Sequence, residues 1–177
     1  MERGRSDNFA TIARSSFVGI AISIAIYQIY GWLGLRLNVS PSLRVGVYIV
    51  SDAGTLVEFC PAEPFAAMAL NRGYRTRGTC PDGGTPLLKP VVAIPGDVVD
   101  VSEAGLDVNN VRIPNTAPLA ADSKGRSLAH WPFGRYVVAP ETVWVASSYS
   151  PRSFDSRYFG PLSSAAVRHR LKALLTL

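Results

Sequence analysis

The sequence contains few of the side chains on which most hydrolases and metal sites depend. Its 177 residues include two histidines, His130 and His169, and two cysteines. Neither histidine has an acidic residue at a spacing typical of a catalytic triad, although a triad can also assemble from distant positions. The chain has no GxSxG elbow and no HExxH motif. We therefore find no support for a histidine-dependent hydrolase or a zinc site, and we expect no metal and no cofactor.

Lysine is also scarce, although the chain is basic. Lysine and arginine together number 18 against 13 acidic residues, which gives a net charge of +5. The only lysines are Lys89, Lys124 and Lys172. The arginines are scattered and do not form a stripe interleaved with aromatic residues, so we expect no nucleic-acid partner. A basic surface of this kind suits anionic lipid headgroups better.

One long uncharged stretch predicts a membrane segment near the N-terminus. Residues 15–35 contain no charged side chain, and a helix of that length rises about 30 Å, the thickness of a bilayer core. A cleaved signal peptide and a buried core helix are the alternatives. Apolar regions of signal peptides usually span only about 7–15 residues. For residues 15–37 we therefore prefer an uncleaved membrane anchor, with a signal segment as the alternative.

The charges and cysteines around that stretch indicate its orientation. Arg3, Arg5 and Arg14 precede it and weakly favour a cytoplasmic N-terminal tail over residues 1–14. Cys60 and Cys80 fit a disulfide in an oxidising compartment, and the alternative is two separate buried thiols. Together these features place residues 38–177 outside the cytoplasmic membrane.

The part of the chain after the apolar stretch resembles a strand-rich domain. The sequence predicts a helix over Glu63–Tyr74, and Ser163–Leu175 fits either a helix or a last strand. Residues 116–131 look like a loop. We predict a mainly β fold, a curled sheet or a barrel-like pair of sheets, with a single N-terminal transmembrane helix. The predicted strand regions, which share β-branched residues and flanking turn signals, are Val45–Ser51, Thr85–Ser102, Asp107–Pro114 and Arg135–Ser148.

Lys89 is the lysine best suited to act as a base. A free lysine has a pKa of about 10.4, and burial lowers it. Lys124 lies in a polar loop and Lys172 alternates with arginine, whereas Lys89 is the only charged residue from Leu87 to Pro95. Pro90 cannot donate a ladder hydrogen bond, so we expect an edge strand or a bulge beside a cleft. The alternative is a lysine whose stem packs on the sheet while its ammonium reaches water.

Two other segments concentrate hydroxyl groups. Ser40 and Ser42 flank Pro41 just after the apolar stretch, and residues 153–160 crowd Ser153, Asp155 and Arg157 beside aromatic residues. Each segment alone would pass for an ordinary turn. Together with Lys89 they suggest a hydrogen-bonded site in which Ser42 is a nucleophile.

These three segments resemble the conserved boxes of the type I signal peptidases and their S26-family relatives, which are membrane-anchored Ser–Lys proteases. The matches are Pro41–Leu43, Lys89–Asp97 and Ser153–Gly160, in the family's order behind an N-terminal anchor. The resemblance implies a signal-peptidase-like fold. The implied roles are nucleophile for Ser42, general base for Lys89, oxyanion donor for Ser40, an orienting contact on the Lys89 amine for Ser153, and an ion pair for Asp155 and Arg157.

Departures from the boxes point to the conjugative-transfer branch of the family, the TraF group encoded on plasmids. Leu43 follows the serine, Pro90 follows the lysine, and Ser147–Ser150 replaces a Gly-Asp-Asn-Arg turn. This similarity implies a catalytic domain in the periplasm on the bacterial inner membrane. It also implies a pilin precursor as substrate, a cleaved or cyclised product, and other conjugative transfer proteins as partners. A general signal peptidase and a non-catalytic, membrane-anchored pilus assembly protein are the alternatives.

Overall fold

The computed structural model describes residues 31–177 together with Gly19, Ser23 and Gln28. The chain divides into two compact units, residues 1–36 and residues 37–177. In the first unit Gly19, Ser23 and Gln28 are helical, as are Gly31 and Trp32. Among the described residues, no helix has the length and apolar character needed to cross a membrane. Most of the predicted anchor lies outside the described residues, and its last three positions, 35–37, lie in a strand.

Two sheets make up the strand framework. The larger sheet has the order β1-β2-β11-β3-β4-β9-β10, the smaller has the order β7-β6-β5-β8, and the pairings among β2–β11 are antiparallel. The prediction of a mainly β fold is therefore confirmed. In chain order the strands are β1 (Leu35–Asn38), β2 (Gly46–Val50), β3 (Leu56–Phe59), β4 (Leu87–Ala93), β5 (Val98–Ser102), β6 (Gly105–Val108), β7 (Val111–Arg112), β8 (Gly134–Val137), β9 (Thr142–Val145), β10 (Leu162–Ser163) and β11 (Val167–Thr176).

Helices are short. Helix α1 (Phe65–Asn71) lies inside the predicted segment, and Gly73 follows its end at a φ of 74°, which favours glycine. Helix α2 (Ser156–Phe159) belongs to the last box, and a short 3-10 helix spans Ser164–Ala166.

Of the two alternatives for Ser163–Leu175, a helix or a last strand, the structure has the strand over most of the segment. β11 pairs with β2 on one side and β3 on the other. Its Leu171 is fully buried, whereas Arg168, Arg170 and Lys172 are exposed. This alternation has the period of two that a strand requires, so the charges meet solvent while Leu171 enters the core.

Strand β9 links two hydrophobic clusters. Val143 and Val145 pack into a cluster with Val57, Phe59 and other residues of the larger sheet. Trp144, on the opposite side of the same strand, and Ala146, just after its end, pack into a cluster with the interior of the smaller sheet. Successive side chains of β9 thus pack into different clusters, because they point to opposite faces of the strand. This packing on both faces holds the end of β9, and the segment that follows it, between the two clusters.

The predicted disulfide is present. Cys60 and Cys80 are joined with an S–S distance of 2.05 Å and a sequence separation of 20 residues, and the loop they close contains α1. The buried guanidinium of Arg75, a residue of that loop, binds Asp82 just beyond Cys80, with Nη1 2.7 Å from Oδ2. The disulfide and the ion pair therefore hold the segment that connects β3 to β4.

Candidate active site

Lys89 lies in the interior of the larger sheet. The expectation of an edge strand is wrong, because β4 is flanked by β3 and β9. The register with β9 shifts between Val91 and Ala93, so the ladder has a bulge or another irregularity just after Pro90. Pro90 still uses its carbonyl, which accepts a hydrogen bond from Ala146 N at 3.1 Å. The proline is accommodated by an irregular ladder.

The side chain of Lys89 meets that of Ser42. Lys89 is 3 % exposed and Ser42 is 8 % exposed. Lys89 Nζ donates a hydrogen bond to Ser42 Oγ over 2.6 Å, across 47 positions of sequence. The alternative of a lysine that extends into water is thus not what the structure shows. A buried amine in contact with a serine hydroxyl is the geometry required of a base and its nucleophile.

Burial alters the titration of this amine. It lowers the pKa of Lys89 from 10.5 to about 8, while the nearby Asp155 carboxylate raises that pKa and Arg157 lowers it by smaller amounts. At a pKa of about 8, roughly a tenth of the lysine is neutral at pH 7. A neutral amine has a lone pair and can accept a proton from Ser42.

Ser40 and the Ser42 backbone provide hydrogen-bonding groups beside the serine oxygen. Ser40 Oγ lies 2.9 Å from Ser42 Oγ, and Ser42 N donates to Ser40 Oγ at 3.3 Å. The Asn38 side-chain amide donates to the carbonyls of Ser40 and Arg44, both at 3.1 Å, which holds the turn in shape. The predicted oxyanion donor Ser40 is therefore adjacent to the Ser42 hydroxyl, and the Ser42 N–H lies beside it.

Asp155 and Arg157 form a fully buried, two-pronged ion pair. Nε binds Oδ1 at 2.8 Å and Nη2 binds Oδ2 at 3.0 Å, with neither side chain exposed. Arg157 Nη1 also donates to the carbonyls of Asn115 and Pro151, each at 3.0 Å. Buried charges need such complete pairing, and here the pair fixes the last box against two loops.

Ser153 is buried beside this pair, but the predicted contact with Lys89 is not formed. Its Oγ has no hydrogen-bond partner among the described residues. The orienting role of Ser153 therefore stays a prediction.

Ser147 is a polar residue of the site that the sequence did not single out. It is fully buried just after β9. Its Oγ donates to the Ser42 carbonyl oxygen, and its backbone N donates to Asp155 Oδ2 at 3.1 Å. Its position in the segment that departs from the signal peptidase pattern was the only available signal, because nothing local distinguishes it from Ser148.

A cleft of about 380 Å³ opens onto the Lys89–Ser42 contact. One wall comes from the loop after β7, which the Tyr74 hydroxyl holds by donating to Asp122 Oδ2 at 2.6 Å. Neither histidine lines the cleft, and no group of three potential metal ligands occurs among the described residues. The apolar and aromatic side chains that line the cleft are those of Pro41, Tyr74, Leu87, Leu119, Leu128, Phe154 and Tyr158.

Sequence comparison decides the family. The profile described as "Signal peptidase, peptidase S26" matches residues 9–175. The chain belongs to the S26 peptidase family. The family supports a serine peptidase.

Similar proteins within the S26 family are conjugal transfer proteins. The chain is 34% identical to the plasmid transfer protein TraF of Escherichia coli over 148 residues, which covers 81% of this chain and 84% of that protein. It is 34% identical to the conjugal transfer protein TraF of Agrobacterium fabrum over 160 residues, covering 85% and 89%. A signal peptidase I of Enterococcus faecalis aligns in three dimensions with a TM-score of 0.37 and 19% identity, covering 69% of this chain and 97% of that one.

Proposed function

We propose that this S26 peptidase is a Ser–Lys endopeptidase in which Ser42 is the nucleophile and Lys89 the general base. The observation that carries the proposal is the 2.6 Å contact between Lys89 Nζ and Ser42 Oγ in a buried setting. Histidine catalysis has no comparable support, because neither histidine lines the cleft. The proposal uses the lysine whose pKa is lowered to about 8.

The first half of the reaction forms an acyl-enzyme. Neutral Lys89 accepts the Ser42 hydroxyl proton while Ser42 Oγ bonds to the substrate carbonyl carbon. The Ser42 N–H and the Ser40 hydroxyl then donate to the oxyanion. As the peptide C–N bond breaks, Lys89 returns its proton to the leaving amine. The ester left on Ser42 is resolved in the second half by water, which gives a linear product, or by an amine, which gives a new peptide bond.

The proposed substrate is a pilin precursor of a conjugation system. The similarity to TraF proteins of plasmid and conjugal transfer supports this assignment. We further propose a cytoplasmic tail over residues 1–14, an anchor in the bacterial inner membrane over residues 15–37, and a periplasmic peptidase domain over residues 38–177. The disulfide supports an oxidising compartment for that domain. Attack by the pilin's own N-terminal amine would cyclise the subunit, and other transfer proteins are expected to act with the peptidase.

Processing of the precursor by full-length variants tests the proposal. Ser42→Ala and Lys89→Ala are each co-expressed with the pilin precursor, and the intact mass of the pilin is measured. Both variants should leave the precursor uncut, because one lacks the nucleophile and the other lacks the base. The matched controls are Ser148→Ala and Lys124→Ala at exposed positions, which should process it fully.

Three other outcomes discriminate among the alternatives. Full processing by either site variant would overturn the Ser–Lys mechanism and favour a non-catalytic assembly protein. Rescue of a strain depleted of its own signal peptidase would favour a general signal peptidase. If the pilin made by the wild-type enzyme has a mass lower by one water than that of the linear chain, the pilin is cyclised.

A further inference from the structure

Ser147 connects two parts of the site that have no other direct hydrogen bond between them among the described residues. On one side its hydroxyl donates to the Ser42 carbonyl oxygen. On the other side its backbone N donates to Asp155 Oδ2 at 3.1 Å, and its carbonyl accepts from Arg157 Nη2 at 3.3 Å. The same hydroxyl accepts from Tyr149 N at 3.1 Å. Every polar group of this buried residue is thus engaged.

The nucleophile needs such a contact because it lies in a loop. Ser42 falls between β1 and β2, outside any sheet ladder. Asn38 holds the flanking carbonyls of Ser40 and Arg44, and Lys89 holds the Ser42 hydroxyl. The hydrogen bond from Ser147 holds the Ser42 carbonyl itself. The orientation of that peptide group sets where the Ser42 side chain and the N–H groups around it point, so a fixed carbonyl is a condition for a fixed attack geometry.

We propose that Ser147 is a positioning residue, whose hydrogen bonds connect the Asp155–Arg157 ion pair to the backbone of Ser42 and so hold that backbone in place. The proposal rests on the Ser–Lys mechanism above and names a part of its supporting structure. It gives a route by which the ion pair bears on the Ser42 backbone, although the Asp155 carboxylate has no hydrogen bond to Ser42 or Lys89 among the described contacts. The ion pair anchors Ser147 from one side, and the Ser147 hydroxyl fixes the reacting loop on the other.

A space-filling role for Ser147 makes a different prediction. A merely structural serine would lower the amount of folded enzyme and leave the rate per active site unchanged. A positioning serine would lower the rate per active site while the fold and the titration of Lys89 stay the same. The two roles are therefore separated by the turnover number of the folded fraction and by its pH dependence.

The test compares Ser147→Ala with Ser148→Ala in the full-length enzyme. Ser148 is its exposed neighbour, so the control deletes the same hydroxyl one position away. Active sites are titrated by a stoichiometric acylating reagent, and kcat and KM are measured on a peptide spanning the precursor's cleavage site. For Ser147→Ala, kcat should fall on the order of 10- to 100-fold with KM and the midpoint of the pH profile unchanged. The Ser148→Ala enzyme should match wild type.

Coupling to the ion pair is measured by adding Asp155→Asn. If Ser147 transmits the effect of Asp155, the double variant loses less activity than the product of the two single losses. Should Ser147→Ala fail to fold, Ser147→Gly removes the same hydroxyl while keeping both backbone contacts, and the same loss in kcat is expected.

Several results would overturn the proposal. These are wild-type kcat per active site in Ser147→Ala or Ser147→Gly, strictly multiplicative losses when Asp155→Asn is added, or a displaced pH midpoint in a variant that changes Ser147 alone. Failure of the Ser–Lys mechanism itself would be recognised separately, by activity that persists in Ser42→Ala.

Discussion

Lys89 Nζ lies 2.6 Å from Ser42 Oγ, in a position where the lysine is buried and the serine leads into the turn before β2. β4 supplies the lysine from the interior of the larger sheet, so its backbone is fixed on both sides. The serine comes from a loop that side-chain hydrogen bonds hold in place. Because the lysine lies on a paired strand and the serine on a separately fixed loop, each side chain can be tested independently.

The first prediction concerns pH. In the proposed mechanism neutral Lys89 is the active form, and burial places the pKa of its ammonium at about 8. We expect kcat/KM to rise with pH and to reach half of its plateau near pH 8, whereas an unperturbed lysine would place the midpoint near 10.5. Rates are measured on one peptide from pH 6 to 10. A flat profile, or a midpoint near the ordinary pKa of histidine, would contradict lysine as the base.

The second prediction concerns stability. Below about pH 8 the folded and unfolded chains both carry the lysine proton, and the folded chain bears the cost of a buried charge. Between about 8 and 10.5 only the unfolded chain binds that proton, so the free energy of unfolding rises with pH across this window. The fall in pKa from 10.5 to about 8 corresponds to about 3 kcal/mol.

Lys89→Met should therefore abolish activity while raising the free energy of unfolding at pH 7 by up to about 3 kcal/mol, with the difference vanishing near pH 10.5. Urea unfolding at pH 7 and pH 10 measures both values. Lys124→Met, at an exposed position, is the control and should change neither value. A destabilised Lys89→Met protein would mean that the buried amine is held by contacts stronger than its desolvation.

The third prediction concerns Ser40. Its hydroxyl lies 2.9 Å from the Ser42 oxygen and should donate to the oxyanion when charge develops there. Ser40→Ala should lower kcat by roughly 10²- to 10³-fold with little change in KM, because the lost interaction belongs to the transition state. Ser40→Thr retains the hydroxyl and should recover much of the rate. If Ser40→Ala raises KM at constant kcat, Ser40 binds substrate and does not stabilise the oxyanion.

The sequence allowed part of this site to be predicted. Lys89 was distinguishable because it is the only charge in an apolar segment, a pattern that burial explains directly. The Asn109–Asn110 turn was also predictable, because asparagine tolerates the positive φ that a two-residue hairpin turn requires. In the structure the two residues have φ values of 50° and 65°. The disulfide between Cys60 and Cys80 was expected from the even cysteine count.

Other features depend on tertiary contacts that no local pattern records. Pro90 suggested an edge strand, yet β4 pairs with β3 in regular register and with β9 across a register shift between Val91 and Ala93. In the sequence nothing distinguishes Ser147 from its neighbour Ser148, but in the fold Ser147 is buried and Ser148 is exposed. Tyr74 and Asp122 are 48 positions apart, and only the fold shows that they close one wall of the cleft.

The last prediction concerns that wall. The Tyr74 hydroxyl and Arg126 Nε both bind Asp122 Oδ2 at 2.6 Å, which ties the loop carrying Leu119 and Leu128 to the turn after α1. Tyr74→Phe should raise KM about tenfold, equivalent to about 1.4 kcal/mol, because the apolar wall loses one of its fixed points while the Lys89–Ser42 contact is untouched. The pH midpoint and kcat should stay the same.

The matched control for the wall is Tyr136→Phe. Its hydroxyl also donates one hydrogen bond, to the Pro132 carbonyl at 2.8 Å, but it does not line the cleft. Steady-state kinetics on peptides of graded apolar length distinguish the two variants, because a loosened wall should penalise long apolar side chains most. Equal KM values in Tyr74→Phe and Tyr136→Phe would show that the loop has no part in substrate binding. A fall in kcat in Tyr74→Phe at constant KM would mean that the loop supports the dyad itself.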